Sequence, residues 1–262
     1  MRANPVRQKI AAGQAALGPL LQEIPDSLEL VEFFGHAGFD FVIIDGEHGG
    51  VHAERARDVA RAADAAGICA LARVPDADPV RILSFLDSGI QGIILAHCKS
   101  ADDAEALVRA TKYPPRGIRG AASGSRAAQY GYHGAAQARD LVESFDRETL
   151  CLGLIEDEVA IDQVGAMLKV DGFDGCFLGA GDLSLSMGLE YYGRQPSHPE
   201  VQKLIDRVRD ETLAAGKLVM APSGTGAGAK ALIDQGVQMV VLQFGQFFRT
   251  ACDTYLNAAR GQ

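Results

Sequence analysis

The chain has 262 residues, of which 47% are hydrophobic and 23% charged, and its formal net charge is −9. This composition is that of an ordinary globular protein and allows one or two domains. The negative charge argues against nucleic acid as a partner, because neutralising phosphates needs a clustered basic surface.

The sequence also argues against membrane insertion and export. It contains no run of about 18 apolar residues for a membrane span, and residues 1–22 are too polar for the apolar core of a secretory signal. The five cysteines form no C-x-x-C pair and mostly lie in apolar runs, as reduced core cysteines do. We therefore expect a cytoplasmic protein.

Short apolar runs alternate with helical patterns along the chain. The predicted strands are 16–21, 39–44, 68–74, 92–96, 150–155, 175–178, 217–220 and 238–242. The predicted helices are 25–34, 52–66, 79–88, 101–111, 135–145, 159–168, 199–214, 227–235 and 245–259. Residues 113–134 and 179–195 interrupt this rhythm and are predicted to be irregular, the first of them a long loop of the kind that is usually functional.

Buried apolar strands that alternate with helices predict a parallel α/β fold. Such a fold is either an open doubly wound sheet or a closed barrel, and about eight βα units at this length favour the TIM (β/α)8 barrel. No linker-like stretch divides the chain, so we expect residues 1–262 to form a single barrel domain.

The barrel prediction supplies a rule for sorting polar residues. In TIM barrels the active site is built at the carboxyl ends of the strands, so polar side chains at those ends are candidates. Those that follow predicted strands here are Asp45, Glu47, His48, Arg73, His97, Glu156, Asp157, Glu158 and Asp182.

Glu156 and Asp182 follow equivalent apolar runs on adjacent strands. Two carboxylates that converge repel each other unless one is protonated or a cation joins them. Magnesium or manganese would suit such a pair. Alternatively, Glu156 opens a helix whose dipole favours an acid and Asp182 caps the next turn, and the sequence leaves both interpretations open. Asp157 and Glu158 are predicted to be acids at a helix start without a chemical role.

His48, Asp45 and Arg73 form a second set of candidates. A carboxylate three residues before a histidine can orient its imidazole and raise its basicity, although a histidine in a glycine-rich turn is often only solvent-exposed. Arg73 ends an apolar strand, so its guanidinium needs an acceptor. It could pair with Asp45 or Glu47, or bind an oxygen of a bound acid.

The turn at 179–182 reads Gly-Ala-Gly-Asp. Its backbone N–H groups are free of bulky side chains and could bind a small carboxylate, or the turn could simply be tight and without a ligand.

Several motifs in one order resemble those of the HpcH/HpaI aldolase family. They are F-D-F-V-I-I-D-G-E-H at 39–48, A-R-V at 72–74, Y-P-P-R-G-I-R-G at 113–120, I-E-D at 155–157 and G-x-x-D-L-S at 179–184. The resemblance extends from about residue 16 to the C-terminus. This family contains class II pyruvate-dependent aldolases of the 4-hydroxy-2-oxoheptanedioate and 2-dehydro-3-deoxyglucarate type.

The resemblance implies a metal-dependent aldolase that reversibly cleaves a 4-hydroxy-2-oxo acid to pyruvate and an aldehyde. It implies a divalent metal (Mg, Mn or Co) on Glu156 and Asp182, which pyruvate or its enolate would chelate. Arg73 would stabilise the enolate, and His48, oriented by Asp45, would serve the proton transfer at the aldol hydroxyl. Backbone amides of Ala180, Gly181 and Asp182 would hold the substrate carboxylate.

The resemblance further implies a barrel of the phosphoenolpyruvate/pyruvate type that assembles as a homo-oligomer, a hexamer or trimer, with the C-terminal helix exchanged between subunits. The chain departs from the family pattern at Leu154, which replaces a glutamine, at Ala96, which replaces a proline, and at Ala180–Gly181, which replaces Pro-Ala. We expect the loop 113–134 to line the pocket for the aldehyde portion, with Arg116, Arg119 and Arg126 as candidates for a distal carboxylate or as surface arginines.

Two other functions remain open. The first is a different lyase on the same barrel, either a CoA-thioester lyase or an oxaloacetate decarboxylase. The second is a non-catalytic binding protein, against which the complete set of candidate site residues argues.

Overall fold

The computed structural model describes residues 3–22, 28–49, 53–132, 138–189 and 198–261. Eight parallel strands form a closed barrel in the order β1 to β8, with β8 paired to β1. The predicted TIM barrel is therefore confirmed. Among the described residues, no helix is both long and apolar enough to cross a membrane.

Each strand is followed by one or more helices on the outside. The strands are β1 Ala16–Leu21, β2 Phe41–Asp45, β3 Cys69–Val74, β4 Gly92–Leu95, β5 Leu150–Ile155, β6 Gly175–Leu178, β7 Leu218–Ser223 and β8 Met239–Gln243. The helices are α1 Pro5–Ala11, α2 Leu28–His36, α3 Ala53–Ala66, α4 Pro79–Ser88, α5 Ala101–Thr111, α6 Ala138–Glu148, α7 Glu158–Ile161, α8 Val164–Met167, α9 Ala180–Ser186, α10 Pro199–Ala214, α11 Gly226–Asp234 and α12 Phe244–Arg260.

Alternation along the strands divides the core into two parts, because successive strand residues point to opposite faces. One part fills the barrel interior and includes Phe41, Ile43 and Leu71. The other lies between the barrel and the helices and includes Val42 and Ile44. The strands are therefore apolar on both faces, as the sequence predicted.

The amino-terminal end of the barrel is closed by α1, which the sequence did not predict. Val6 is fully buried and packs with the residues of the barrel interior. Asn4 caps α1 through its side-chain oxygen, which accepts hydrogen bonds from the amides of Val6 and Arg7. The site therefore lies at the opposite end of the barrel, which α1 leaves open.

Two predicted irregular stretches contain helices. Residues 180–186 form α9, and residues 129–131 form a single 3-10 turn within the loop after α5. The predicted helix 159–168 is divided into α7 and α8. The predicted helix starts at Pro25 and His52, and residues 133–137 and 190–197, lie outside the described residues.

Candidate active site

Strand alternation places three of the predicted site residues on the inner face of the barrel. Phe41 and Ile43 belong to the interior cluster, so Asp45 shares their face two residues further along β2. In the same way, Arg73 lies two residues after the interior residue Leu71, and Glu156 lies two residues after Leu154, so both side chains point into the barrel. All three side chains are buried, with exposed fractions of 0%, 6% and 3%.

Asp45 and Arg73 face each other on neighbouring strands and form a two-pronged ion pair. They are register partners between β2 and β3, with Arg73 Nε 3.0 Å from Asp45 Oδ1 and Arg73 Nη2 2.5 Å from Asp45 Oδ2. Burial lowers the pKa of Arg73, but Asp45, Glu47 and Glu156 outweigh it and raise the pKa above its ordinary value. Arg73 is therefore a fixed positive charge.

The Asp45 carboxylate also organises the loop after β2. Its Oδ1 accepts hydrogen bonds from the backbone amides of Glu47, at 3.0 Å, and His48, at 3.2 Å. The sequence suggested that Asp45 orients the imidazole of His48. This interpretation is revised, because the bonds of Asp45 go to the His48 amide and to Arg73. The imidazole is half exposed, and its Nε2 lies 3.7 Å from Glu47 Oε2.

Glu47 received no role from the sequence, yet its side chain is only 9% exposed and lies at the centre of the cluster. Its Oε2 forms an ion pair with Arg73 Nη1 at 3.2 Å, but this buried oxygen accepts no hydrogen bond. Its Oε1 is 3.5 Å from His97 Nε2. Glu47 therefore has a buried carboxylate oxygen that could still accept a hydrogen bond.

Glu156 is the most perturbed carboxylate of the site. Burial raises its pKa to about 7, with further increases from the charges of Asp182 and Glu47, against the lowering effect of a hydrogen bond from the His97 amide. That amide lies 3.0 Å from Glu156 Oε1. The charge of Asp182 therefore acts on Glu156, and the metal role of the two carboxylates stays a prediction.

Asp182 lies in the first turn of α9, whose N-cap is Gly179 without a side-chain cap. The suggestion that Asp182 itself caps the helix is therefore wrong. Gly179 has little room beside it, since a Cβ there would lie 2.6 Å from Glu156 Cβ and 3.3 Å from Glu156 Oε2. The close approach of α9 to Glu156 requires glycine at this position.

An open cleft of about 290 Å³ joins these groups. Its lining includes His48, Arg73, Glu156 and Asp182, which come from β2, β3, β5 and β6 and the loops after them. Its apolar wall includes Leu154, one of the departures from the family pattern, together with Leu20 and Val241. The residues predicted to bind the substrate carboxylate, Ala180 and Gly181, also line the cleft.

His97 is a site residue whose role the sequence did not reveal. It follows β4 in the left-handed conformation, with a φ of 48°, and its Nδ1 lies 2.9 Å from Asp157 Oδ2. Burial lowers its pKa, but the hydrogen bond to Asp157 and the charges of Glu156, Asp157 and Glu47 raise it overall. Its place at a strand end was the available signal. Asp157, predicted to have no chemical role, binds this histidine.

The arginines predicted for a distal carboxylate lie elsewhere in this chain. α5 runs back along the barrel, so the loop after it lies at the amino-terminal ends of the strands, opposite the cleft. Arg119 pairs with Asp87, and Arg126 pairs with Asp64. Arg116 is exposed, with Asp171 at 3.4 Å. The prediction was wrong because the active site of a TIM barrel is built from the loops that directly follow the strands. The loop 113–134 follows a helix, α5, and therefore lies at the other end of the barrel.

Comparison with known proteins agrees with this geometry. Residues 25–242 match the sequence model of the family described as HpcH/HpaI aldolase/citrate lyase. The chain belongs to the HpcH/HpaI family. It is similar to a 4-hydroxy-2-oxovalerate aldolase of Rhodococcus jostii, with 33% identity over 97% of this chain and 92% of the relative. It is also similar to a hydroxypyruvate/pyruvate aldolase of Cupriavidus necator, with 32% identity over 98% and 90% of the two chains.

A solved structure of an HpcH/HpaI aldolase/citrate lyase family protein from Burkholderia cenocepacia shares the fold. Its TM-score is 0.86 at 26% identity, over 98% of this chain and 99% of that one. The match extends across nearly all of both chains.

The carboxylates of this HpcH/HpaI member fit a divalent cation. Glu156 and Asp182 share a cleft, and the charge of Asp182 helps to raise the pKa of Glu156, an effect that a bound cation would offset. Glu47, His97 and Glu156 also offer ligand atoms that lie within 4.8 Å of one another. The site thus contains two overlapping donor sets that share Glu156.

Proposed function

We propose that the protein catalyses the reversible, metal-dependent cleavage of a 4-hydroxy-2-oxo acid to pyruvate and an aldehyde. The observation that carries the proposal is the arrangement of one cleft, in which Arg73, His48 and the pair Glu156–Asp182 converge. Family membership and the names of the aldolase relatives support the same reaction class.

We propose that Glu156 and Asp182 hold the metal. When bound, a divalent cation supplies Lewis-acid stabilisation of the negative charge that develops on the 2-oxo oxygen. Mg²⁺, Mn²⁺ and Co²⁺ are the candidates, since oxygen donors suit all three.

Arg73 is proposed to stabilise the enolate that remains when the C3–C4 bond breaks. Its guanidinium is held by Asp45 before any substrate arrives, so its charge needs no reorganisation during the reaction. We further propose that the amides of Ala180, Gly181 and Asp182, in the first turn of α9, bind the substrate carboxylate.

His48 is proposed to accept the proton of the C4 hydroxyl as the aldehyde leaves, directly or through a water. A neutral imidazole suits this task near neutral pH. The loop bonds from Asp45 fix the backbone of His48, while the half-exposed ring keeps access to the cleft. In the direction of condensation, the same group returns the proton.

The test couples pyruvate release from 4-hydroxy-2-oxovalerate and 4-hydroxy-2-oxoheptanedioate to lactate dehydrogenase. We expect EDTA to abolish turnover and Mg²⁺, Mn²⁺ or Co²⁺ to restore it. Glu156→Gln and Asp182→Asn should each remove activity, and His48→Ala should lower kcat by about 10²- to 10⁴-fold. Full turnover in the two carboxylate variants would refute the metal assignment. Turnover of oxaloacetate or a CoA thioester without aldehyde release would support the alternative lyases instead.

We also propose a homo-oligomer, a hexamer or trimer, in which α12 packs on a neighbouring subunit. Along most of its length α12 is exposed in the single chain, including Phe247, Phe248, Tyr255 and Leu256. A helix of this size is marginally stable in water unless its apolar face is covered. We propose a cytoplasmic location because none of the five cysteines, all of which lie among the described residues, forms a disulfide.

A further inference from the structure

The cleft has room for more than pyruvate. Its volume of about 290 Å³ equals the liquid volume of roughly ten water molecules, whereas pyruvate has six non-hydrogen atoms. The groups proposed to hold the pyruvate portion are Glu156, Asp182 and the amides in the first turn of α9, and all of them follow β5 or β6. The rest of the cleft is therefore available to the aldehyde portion.

The closed barrel defines the direction in which the aldehyde portion extends. In a ring of strands in the order β1 to β8, β1 lies opposite β5 and next to β8. A substrate whose oxo-acid end is held beside Glu156, after β5, therefore points across the mouth of the barrel towards β1 and β8. The loop that carries His48 runs beside the end of β1, since a Cβ on Gly49 would lie 3.4 Å from the carbonyl oxygen of Gln22.

Along this path the floor of the cleft is apolar and the far rim is polar. Leu20, Leu154 and Val241 line the cleft and belong to the cluster that fills the barrel interior. Such a shape suits a ligand that has a polar group at each end and methylene groups between them. The rim beyond β1 and β8 contributes four polar side chains, Gln22, Gln243, Gln246 and Arg249.

Arg249 brings a positive charge to this rim. Among the described residues that line the cleft, the other arginine is Arg73, whose guanidinium is bonded to Asp45. Arg249 also interacts within the chain, but a guanidinium has five N–H donors and can bind a protein group and a carboxylate together. On the same helix, Gln246 is held over Gly224, where a Cβ would lie 3.3 Å from Gln246 Oε1.

We infer that Arg249, assisted by Gln22 and Gln243, forms a distal subsite that selects substrates whose aldehyde portion ends in a carboxylate. The substrate is then a 4-hydroxy-2-oxo diacid, with one carboxylate at the first turn of α9 and the other beside α12. This inference rests on the proposed function and deepens it, because it assigns the far end of the same cleft. Arg249 takes the role that we expected of an arginine in the loop 113–134.

The first experiment compares two substrates of equal length on the full chain with Mg²⁺. The diacid is 4-hydroxy-2-oxoheptanedioate, and its counterpart, 4-hydroxy-2-oxoheptanoate, ends in a methyl group in place of the second carboxylate. Hydrogen bonds between two charged groups are among the strongest in proteins. We therefore expect kcat/KM for pyruvate release to be about 10- to 100-fold higher for the diacid.

A binding measurement tests the subsite without turnover. The probes are 2-oxoheptanedioate and 2-oxoheptanoate, which lack the C4 hydroxyl and so cannot undergo the cleavage. Isothermal titration calorimetry of the full chain with Mg²⁺ should give a Kd about 10- to 100-fold lower for the diacid. Added salt should narrow this difference, because Arg249 is exposed and its charge is screened.

Variants assign the preference to its residues. Arg249→Gln should remove most of the difference between the two ligands in both measurements, and Arg249→Lys should retain part of it, since lysine keeps the charge but not the planar fork. Gln22→Ala should reduce the preference by about 2- to 10-fold. Arg260→Gln is the matched control, because it removes the same charge from the far end of α12, away from the cleft lining, and it should change neither ratio.

The outcomes separate this inference from the proposed function. Pyruvate release with equal kcat/KM for both substrates, or a diacid preference that persists in Arg249→Gln, overturns the distal subsite and leaves the proposed function intact. No pyruvate from either substrate, together with tighter binding of 2-oxoheptanedioate that is lost in Arg249→Gln, supports the subsite and refutes the proposed reaction. Light scattering after gel filtration establishes whether each variant keeps its assembly. If Arg249→Gln alters the assembly, Gln22→Ala, which leaves α12 unchanged, decides.

Discussion

Arg73 and Asp45 illustrate how a single pair of residues prepares the site. Because they are register partners on adjacent strands, the geometry of the barrel itself aligns the guanidinium with the carboxylate. A positive charge that is held in place is more effective than a mobile one, since no free energy is needed to orient it during the reaction. The Nη1 atom also reaches Glu47, so one side chain links two acids.

We predict that Arg73→Lys lowers kcat by about 100- to 1000-fold. Lysine keeps the charge but cannot reproduce the two parallel bonds to Asp45. Steady-state kinetics on the pyruvate-forming reaction measure the effect. Arg81→Lys is the matched control, because Arg81 pairs with Asp76 on the surface and should leave kcat unchanged. An active Arg73→Lys enzyme would contradict the role of the two-pronged pair.

Gly179→Ala tests the close contact between α9 and Glu156. The new Cβ would lie 2.6 Å from Glu156 Cβ and 3.1 Å from Leu154 Cδ1, so we expect a loss of about 1–3 kcal/mol in the free energy of unfolding and weaker metal binding. Gly165→Ala has nothing within 4 Å of the new Cβ and should instead stabilise by about 0.4–1 kcal/mol. Denaturation in urea compares the two, and equal stabilities would disprove the steric argument.

At the residue scale, the sequence predicted which side chains meet but not all of their partners. It named Asp45 and Glu47 as candidate partners of Arg73, and both contact it. It missed the central place of Glu47 and His97, because the direction of a side chain after a strand depends on the loop backbone. The left-handed φ of His97 has no signature in the sequence.

At the scale of elements, α1 shows how one buried residue can attach a helix. Asn4 is fully buried, and besides capping α1 its Nδ2 donates to the carbonyls of Gln91, at 3.3 Å, and Glu148, at 2.9 Å. These bonds connect the N-terminal segment to the residues before β4 and β5. The side chain of Asn4 therefore contributes part of the free energy that holds α1 against the barrel.

We predict that Asn4→Ala lowers the free energy of unfolding by about 2–4 kcal/mol. Loss of the cap accounts for about 1 kcal/mol, and each lost hydrogen bond to a carbonyl adds roughly another 0.5–1.5 kcal/mol. Ser100→Ala removes the cap at the start of α5 and a local hydrogen bond to Asp103 but no long-range bond, and it should lower stability by about 1 kcal/mol. Urea denaturation gives both values. Equal losses would show that the long-range bonds of Asn4 contribute nothing.

The order of elements was largely predictable, while their small interruptions were not. Asp78 and Ser100 cap α4 and α5, and such starts are visible in sequence. The helix α9 was missed because Gly179-Ala180-Gly181 is typical of a turn. The division between α7 and α8 was also missed, since apolar spacing continues across it. Tertiary packing decides such cases, and local patterns do not record it.

At the scale of the whole molecule, α12 carries the clearest sign of assembly. Phe248, Cys252 and Tyr255 recur at helical spacing along one exposed stripe. The prediction that residues 1–262 form one domain stays a prediction. So does the exchange of α12 between subunits.

We predict an oligomer whose mass is a multiple of 27.7 kDa, and we expect Phe248→Glu combined with Tyr255→Glu to reduce it to the monomer. Light scattering after gel filtration measures the masses. Asn257→Glu, on the opposite face of α12, is the control and should leave the oligomer intact.

Cysteine labelling gives an independent readout of the same interface. All five cysteines lie in the described part of the chain, and Cys252 alone among them is exposed. Burial raises the pKa of Cys176 to about 11, so only Cys252 should react rapidly at pH 8. Its reaction should be slow in the oligomer and fast in the double variant. Rapid labelling of Cys252 in the intact oligomer would contradict coverage of this stripe.

β8 passes into α12 without an intervening loop, since Gln243 ends the strand and Phe244 begins the helix. The same junction contributes Gln243, Gln246 and Arg249 to the rim of the cleft. The helix that we propose to be covered by a neighbouring subunit therefore also carries part of the wall of the cleft. Catalysis would then depend on protein concentration: specific activity should decline on dilution past the dissociation constant of the assembly and return when the subunits reassociate.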